Sequence, residues 1–431
     1  MLIGIDGNEA NVEKRVGISE YAFELLREFH ESQKSHLRQG FGGQANFKFQ
    51  IYLKDRPRED LPKVSENWRY RVFGQKKLWT QIGLPFDLYF HKPRPDVFFS
   101  PTHYAPRFSP IPTVISIMDL SYIHYPEMFK RSDLYQLENW TRYSVKKAKK
   151  IFTISQASKD DIIKVYNVSE EKVVVTYPGV KLRTQSPIQS GTKLKSIMQG
   201  SELLKEKYKI EGNYILFVGT LQPRKNIVRL IEAFAKVTSE LRSLRQFKNF
   251  SNASVPAARY HSPRDTVAYG DSSEKIFHAK APRSLELIIV GKKGWLYEEI
   301  LEAPKKFKIE DKVKFLDFVP DEDLPLLYKN ALCFVLPSLY EGFGLPVLEA
   351  MKYGCPVITS NVSSLPEAGG DAALYVDPED VSDIADNLRL MIEKPQLRKE
   401  LIKKGYKQVK KFSWEKTAKE TLNILEKVAK E

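Results

Sequence analysis

A chain of 431 residues, 42% hydrophobic and 28% charged, corresponds to two or three domains and excludes disorder along its whole length. The net charge of +14 leaves a nucleic acid, an anionic membrane surface and an anionic small substrate open as partners. Two cysteines, Cys333 and Cys355, in or beside apolar runs, exclude a disulfide framework, read as buried free thiols and fit a reducing cytoplasm.

The first strand is expected at once, over 2–5, with no secretory leader ahead of it. A helix follows in which Ile18, Tyr21, Ala22, Leu25, Leu26 and Phe29 form one apolar stripe. Glycine-rich 39–44 reads as a surface insertion. Short β-branched runs then mark strands at 47–53, 69–73, 97–100, 113–117, 151–154 and 173–176, with amphipathic stretches between them. Polar, aperiodic 181–200 reads as an interdomain linker. Further strands are expected at 214–218, 285–290, 313–316, 332–336, 357–359 and 374–376. Between a helix over 226–238 and the strand at 285, residues 239–284 read as a second insertion without chemistry. Ser413 is placed to cap a last helix carrying Trp414, Ala418, Leu422, Leu425 and Val428. Alternation of this kind implies parallel sheets covered by helices. No run approaches the roughly 18 apolar residues of a membrane-spanning helix.

The most informative segment is 337–360, PSLYEGFGLPVLEAMKYGCPVITS. A buried strand runs into a turn holding Glu341, Gly342 and Gly344, and a helix begins near Pro346. Ligands bind at the carboxyl ends of strands in open α/β sheets, and helix N-termini hold phosphate. Seven residues separate Glu341 from Glu349, the latter expected in the first helical turn, so both can face one ligand and accept hydrogen bonds from sugar hydroxyls. Attraction to the helix dipole accounts for one such glutamate; the pair with its glycine turn points to a ligand.

Glu-Gly-Phe-Gly-Leu-Pro-x-x-Glu-Ala-Met from Glu341, followed by Gly-Cys-Pro-Val-Ile-Thr-Ser, resembles the donor-site signature of retaining glycosyltransferases of family 4. The resemblance takes in Gly4-Ile5-Asp6 with Gly17-Ile18, Val218-Gly219-Thr220 with Pro223-Arg224-Lys225-Asn226, Ser364-Leu365-Pro366-Glu367 and Asp371-Ala372-Ala373, and is closest to bacterial mannosyltransferase-like members. It implies the GT-B fold, an α/β architecture of two Rossmann-like domains whose parallel sheets face a central cleft. The expected domains are 1–184, which binds the acceptor, and 203–411, which binds the nucleotide-sugar donor, with 185–202 linking them and helix 412–431 packing back on the first.

By the same resemblance Arg224 and Lys225 hold the donor diphosphate, Glu349 the ribose, and Glu341 with the N–H groups of Phe343, Gly344 and Leu345 the transferred sugar. Gly17, Thr220 and Gly342 belong to the donor-binding loops, and Glu341, Lys225 and Asp119 are the expected catalytic residues. Two positions depart from the pattern. Met118 stands where many members have a histidine before Asp119, and a thioether is no comparable hydrogen-bonding group. Thr220 stands where many have arginine, which shifts phosphate charge onto Arg224. His103 and His124 lie near Asp119 in sequence and read as structural or surface residues.

Arg142, Lys146, Lys149 and Lys150 fall on one face if the helix runs through them, either a solvated face or a contact with anionic lipid or a lipid-linked acceptor. No helix-turn-helix, RNP or zinc-finger pattern accompanies the charge, so nucleic acid is set aside. The histidines lack metal-ligand spacing, and Asp321 and Asp323 are explained by capping of a helix over 322–330, so no metal or other cofactor is expected. The implied activity is transfer, with retention, of a sugar, mannose favoured, from a GDP- or UDP-linked donor to a glycan or lipid-linked acceptor in cell-surface polysaccharide synthesis. The expected location is the cytoplasm, including the inner face of the membrane. The alternative is a degenerate member that binds nucleotide or glycan without turnover, which Met118 favours.

Overall fold

The computed structural model describes residues 1–38, 47–74, 78–180, 202, 204–251 and 284–431. The expected insertion 39–44 and linker stretch 181–200 lie outside the described residues. Every run marked as a strand forms one, displaced by a residue or so at its ends. The first seven are β1 (Leu2–Asp6), β2 (Lys48–Leu53), β3 (Trp68–Val72), β4 (Val97–Ser100), β5 (Thr113–Ser116), β6 (Lys150–Thr153) and β7 (Val173–Val175). The others are β8 (Asn213–Val218), β9 (Leu285–Val290), β10 (Val313–Leu316), β11 (Cys333–Leu336), β12 (Val357–Ser360) and β13 (Ala373–Val376). They make two sheets, ordered β3-β2-β1-β4-β5-β6-β7 and β10-β9-β8-β11-β12-β13, in which every pairing is parallel.

Each order reverses once, between β1 and β4 and between β8 and β11, which makes two Rossmann-like domains with a crevice at each switch point. Central strands are buried on both faces, and so their residues are near-continuously apolar, as in Tyr214, Ile215, Leu216 and Phe217. The second sheet lies in one large core, whereas the first is flanked by several smaller clusters.

The helix Ile18–Arg38 buries its expected stripe through Tyr21, Ala22, Leu25, Leu26 and Phe29. Onto it packs the last helix, Trp414–Lys430, whose N-cap Ser413 accepts a hydrogen bond from Lys416 N at 3.1 Å. Its Trp414, Ala418, Leu422, Leu425 and Val428 are buried in the first domain's core. At about 1.5–3 kcal/mol for each large side chain, this is enough to tie the chain's end to the domain where it began. Tyr177, Phe343 and Phe412 pack ring against ring where the domains meet, at centroid separations of 5.3–5.8 Å.

Four local expectations need correction. The helix expected to stop at 238 is Ile227–Ser251, because no glycine or proline interrupts it; the rest of the second insertion lies outside the described residues. The helix Arg131–Lys147 ends before Lys149, and Lys150 opens β6 and donates to Glu171 O at 2.8 Å, so Arg142, Lys146, Lys149 and Lys150 share no helix face. Sheet pairing wins there over the helix propensity of lysine. Asp323 stands at the N-cap of Leu324–Asn330 but does not cap it; its carboxylate takes Lys207 and Tyr208. Glu349 lies in the second turn of Leu345–Lys352, because the helix starts one residue before Pro346.

Gly179 shows how closely the last helix is docked. A Cβ there would lie 2.2 Å from Trp414 N, against backbone that cannot swing aside. Gly179→Ala is expected to lower unfolding stability by about 1–3 kcal/mol, the usual cost of overpacking, in chemical denaturation.

Candidate active site

The carboxyl ends of β8 and β11 flank the second sheet's switch point, and the residues leaving them build the site. After β8 the chain makes a short turn, Pro223–Lys225. Asn226 closes it in the left-handed region at φ 58°. The Asn226 side chain is buried and donates to Pro337 O at 3.0 Å and Pro378 O at 2.6 Å. Leu339 N donates to Arg224 O at 2.9 Å. The turn is thereby tied to the segment leaving β11, and Arg224 and Lys225 are delivered to Glu341.

Lys225 Nζ lies 2.5 Å from Glu341 Oε1, and the Arg224 guanidinium lies 3.1 Å from Oε2. Ser338 Oγ donates to Oε1 at 2.7 Å, and Arg224 also donates to Tyr340 O. The backbone of Glu341 is held too: its N–H donates to Ser363 Oγ at 3.1 Å, and its carbonyl accepts from Ser364 Oγ at 2.8 Å. Lys225 and Glu341 are less than a tenth exposed.

Burial pushes the Glu341 carboxyl up, but Lys225, Arg224 and the hydrogen bonds from Lys225 and Ser338 outweigh it and hold the group down at about 2. Burial lowers the Lys225 ammonium, with Glu341 opposing and Arg224 reinforcing. Burial also disfavours the Arg224 charge, yet Glu341 and Asp119 raise it on balance.

The first domain meets this cluster through Asp119, which follows β5. A Cβ on Gly342 would come within 3.0 Å of Asp119 Oδ2 and of Met118 O, so the two loops abut closely there. Asp119 Oδ1 accepts from Ser121 N at 2.9 Å. Met118 is buried in the first domain's core. His103 feels the Asp119 charge, although burial depresses its imidazole. His124 Nε2 lies 2.9 Å from Asp161 Oδ2, which also accepts from Tyr340 OH at 2.7 Å.

Asp119, Arg224, Lys225, Glu341 and Gly342 are thus brought together. Gly17, Thr220 and Glu349 do not join their contacts among the described residues. Gly17 opens its helix at φ 55° with nothing near its Cα side. Thr220 lies against Gly294 on the loop leading to Arg224. Glu349 is buried and accepts from Tyr328 OH at 3.2 Å. Phe343 turns its ring into the domain junction, Gly344 caps the helix Leu345–Lys352 at φ 101°, and Leu345 begins it. Sequence reasoning missed Ser338, Tyr340, Ser363 and Ser364. The first two shortly precede Glu341 in PSLYEG, and that proximity was the available signal. Among the described residues no group of three or more His, Cys, Asp or Glu could hold a metal ion.

Comparison with known proteins identifies the family of the chain. The family described as Glycosyltransferase Family 4 matches residues 17–184, and that described as Glycosyl transferases group 1 matches residues 275–408. The O-antigen chain mannosyltransferase B of Escherichia coli is 32% identical over 313 residues, which are 72% of this chain and 69% of that protein. The chain belongs to glycosyltransferase family 4. It is a nucleotide-sugar-dependent glycosyltransferase of the GT-B fold. A second family relative, the O-antigen chain mannosyltransferase RfbU of Salmonella typhimurium, is 29% identical over 62% of this chain and 57% of its own. The structure of Anabaena HepE in complex with UDP and glucose superposes with a TM-score of 0.65 at 17% identity, over 99% of both chains. In this family 4 glycosyltransferase the buried ion cluster therefore occupies the crevice between the domains of a GT-B enzyme.

The depressed Glu341 carboxyl makes a measurable contribution. A carboxylate whose folded pKa lies below its unfolded value stabilises the protein above the unfolded pKa and loses that contribution as pH falls. Between about pH 4.5 and about 2 the wild-type protein should lose stability more steeply than Glu341→Gln, as read by denaturant unfolding at several pH values.

Proposed function

We propose that this enzyme transfers a mannosyl group, with retention, from a nucleotide-linked donor to a glycan or lipid-linked acceptor in the assembly of a surface polysaccharide. The observation that carries the reading is the Arg224–Lys225–Glu341 cluster at a switch point, closed from the opposite domain by Asp119. The mannosyltransferase relatives support the choice of sugar.

In this reading the donor diphosphate shares the two cations with Glu341. As the bond to the sugar breaks, negative charge grows on the leaving phosphate, and Lys225 and Arg224 are already fixed to meet it. No reorganisation is needed at that moment, because Glu341, Asn226 and Tyr340 hold them in place. Glu341, drawn partly off its cations, accepts hydrogen bonds from hydroxyls of the sugar, and the N–H groups of Phe343, Gly344 and Leu345 and the backbone at Gly342 line its bed. Glu349 binds the ribose, while Thr220 and Gly17 shape the donor loops. Asp119 faces the reacting carbon from the first domain. Side-chain cations take the part a divalent ion plays elsewhere, so the reading assigns no step to a metal. The reading puts the reaction in the cytoplasm, which the two buried free thiols support; no described helix is long and apolar enough to cross a membrane.

Incubation with GDP-mannose, UDP-glucose and related donors, with the product's anomeric configuration read by NMR, tests the reading. Mannosyl transfer with retention, undiminished by EDTA, is expected; nucleotide binding without transfer from any donor to varied acceptors would refute it.

Lys225→Ala should lower kcat/KM about a hundredfold or more, since single donors to developing charge are worth about 2.7–4 kcal/mol. Glu349→Ala should raise the donor KM more than it lowers kcat, because the ribose is held equally before and during reaction. Glu341→Gln should act chiefly on kcat.

A further inference from the structure

Ser364 holds the Glu341 backbone, whereas Glu367, three residues on, has no part in the chemistry above and reaches across the cleft. We propose that Glu367 is a positioning residue that sets the closed register of the two domains by capping the first domain's helix Gln156–Tyr166, and that Ser158 of that helix passes this register to the loops of the reacting centre. The inference rests on the reading that Asp119 and Glu341 form that centre.

The capping is bidentate. Gln156 N donates to Glu367 Oε2 at 2.7 Å, and Ala157 N donates to Oε1 at 2.9 Å. The first amides of a helix have no partner inside it, and the positive end of its dipole favours a carboxylate. The rest of this N-terminus is satisfied locally: Ser158 N donates to Ser155 Oγ at 3.0 Å, and Lys159 N to Ser155 O at 3.1 Å. The two amides left over are therefore met from the other domain.

Glu367 is itself anchored. Its carbonyl accepts from Gln408 Nε2 at 3.1 Å, and Gln408 is buried. Tyr177, just beyond β7, donates its hydroxyl to Glu367 Oε2 at 2.9 Å.

The helix then touches both catalytic loops. Ser158 Oγ lies 3.0 Å from Met118 O and 3.4 Å from Gly342 O, the carbonyls next to Asp119 and Glu341. One buried hydroxyl stands between the loops the two domains contribute. Lower on the same helix, Asp161 takes Tyr340 OH, which adjoins Glu341 from the other side. The cluster is nearly closed to solvent, and the Gly342 loop abuts Asp119, so a nucleotide sugar enters only when the domains part. Each turnover breaks and remakes the contacts of Glu367, and their geometry decides where Asp119 stops relative to Glu341.

The test uses the full-length protein with Glu367→Ala, Glu367→Gln and Tyr177→Phe. Amide hydrogen exchange of 156–157 should become at least tenfold faster in Glu367→Ala, with β11 protected as in the wild type. In donor–acceptor assays kcat should fall about tenfold or more, while the Kd for UDP or GDP stays within twofold. Glu367→Gln, keeping one acceptor oxygen, and Tyr177→Phe, keeping the carboxylate, should fall between; they carry the test if the alanine variant does not fold. Unchanged exchange at 156–157, wild-type kcat, or nucleotide binding weakened as much as kcat would each overturn the proposal. A wild-type protein that transfers no sugar would defeat the mannosyltransferase reading instead, and the exchange experiment would still report on the clasp.

Discussion

Taking the Lys225 ammonium and the Glu341 carboxylate out of water costs several kcal/mol per ion, and only close pairing with further hydrogen bonds offsets it. Much of the second domain's loop structure meets that condition. Asn226 locks the turn that carries Lys225, Ser338 adds a hydrogen bond to the carboxylate, and Ser363 and Ser364 fix the Glu341 backbone. Replacing such a pair by packed hydrophobic residues is often neutral or stabilising. Its presence at a crevice thus suits a site where charge must be met without delay better than it suits stability.

The same constraint reaches the first domain. Arg224 is held charged partly by Asp119, and Asp119 and Met118 stand close against Gly342. Among the described residues the domains therefore meet near the site over charge and backbone, with an aromatic contact of Tyr177, Phe343 and Phe412 beside them. Polar junctions of this kind part and re-form at modest cost, as a substrate buried between two domains requires.

The central strands were legible because buried parallel strands must be apolar on both faces. Helix ends were less so. Lys149 and Lys150 continue a helical pattern, and only pairing of β6 with β5 and β7 decides where the helix stops. Within the site, Arg224, Lys225 and Glu341 were legible because they follow strand ends in a recognisable motif. Tyr340, Asp161 and Ser158 were not, and Glu367 stood in a quoted motif without a role: each makes its decisive contact with a residue more than a hundred positions away, or with a carbonyl oxygen, and neither leaves a periodic trace in sequence. For Glu349 the spacing from Glu341 was legible, but its hydrogen bond from Tyr328 was not.

We propose the buried cations as the donor's phosphate site. A crystal structure of the enzyme with an intact nucleotide-sugar analogue tests it most directly. Diphosphate oxygens are expected within hydrogen-bond distance of Lys225 Nζ and the Arg224 guanidinium, with Glu341 turned to the sugar. A diphosphate bound elsewhere, with Lys225 and Arg224 still paired to Glu341 alone, would contradict it.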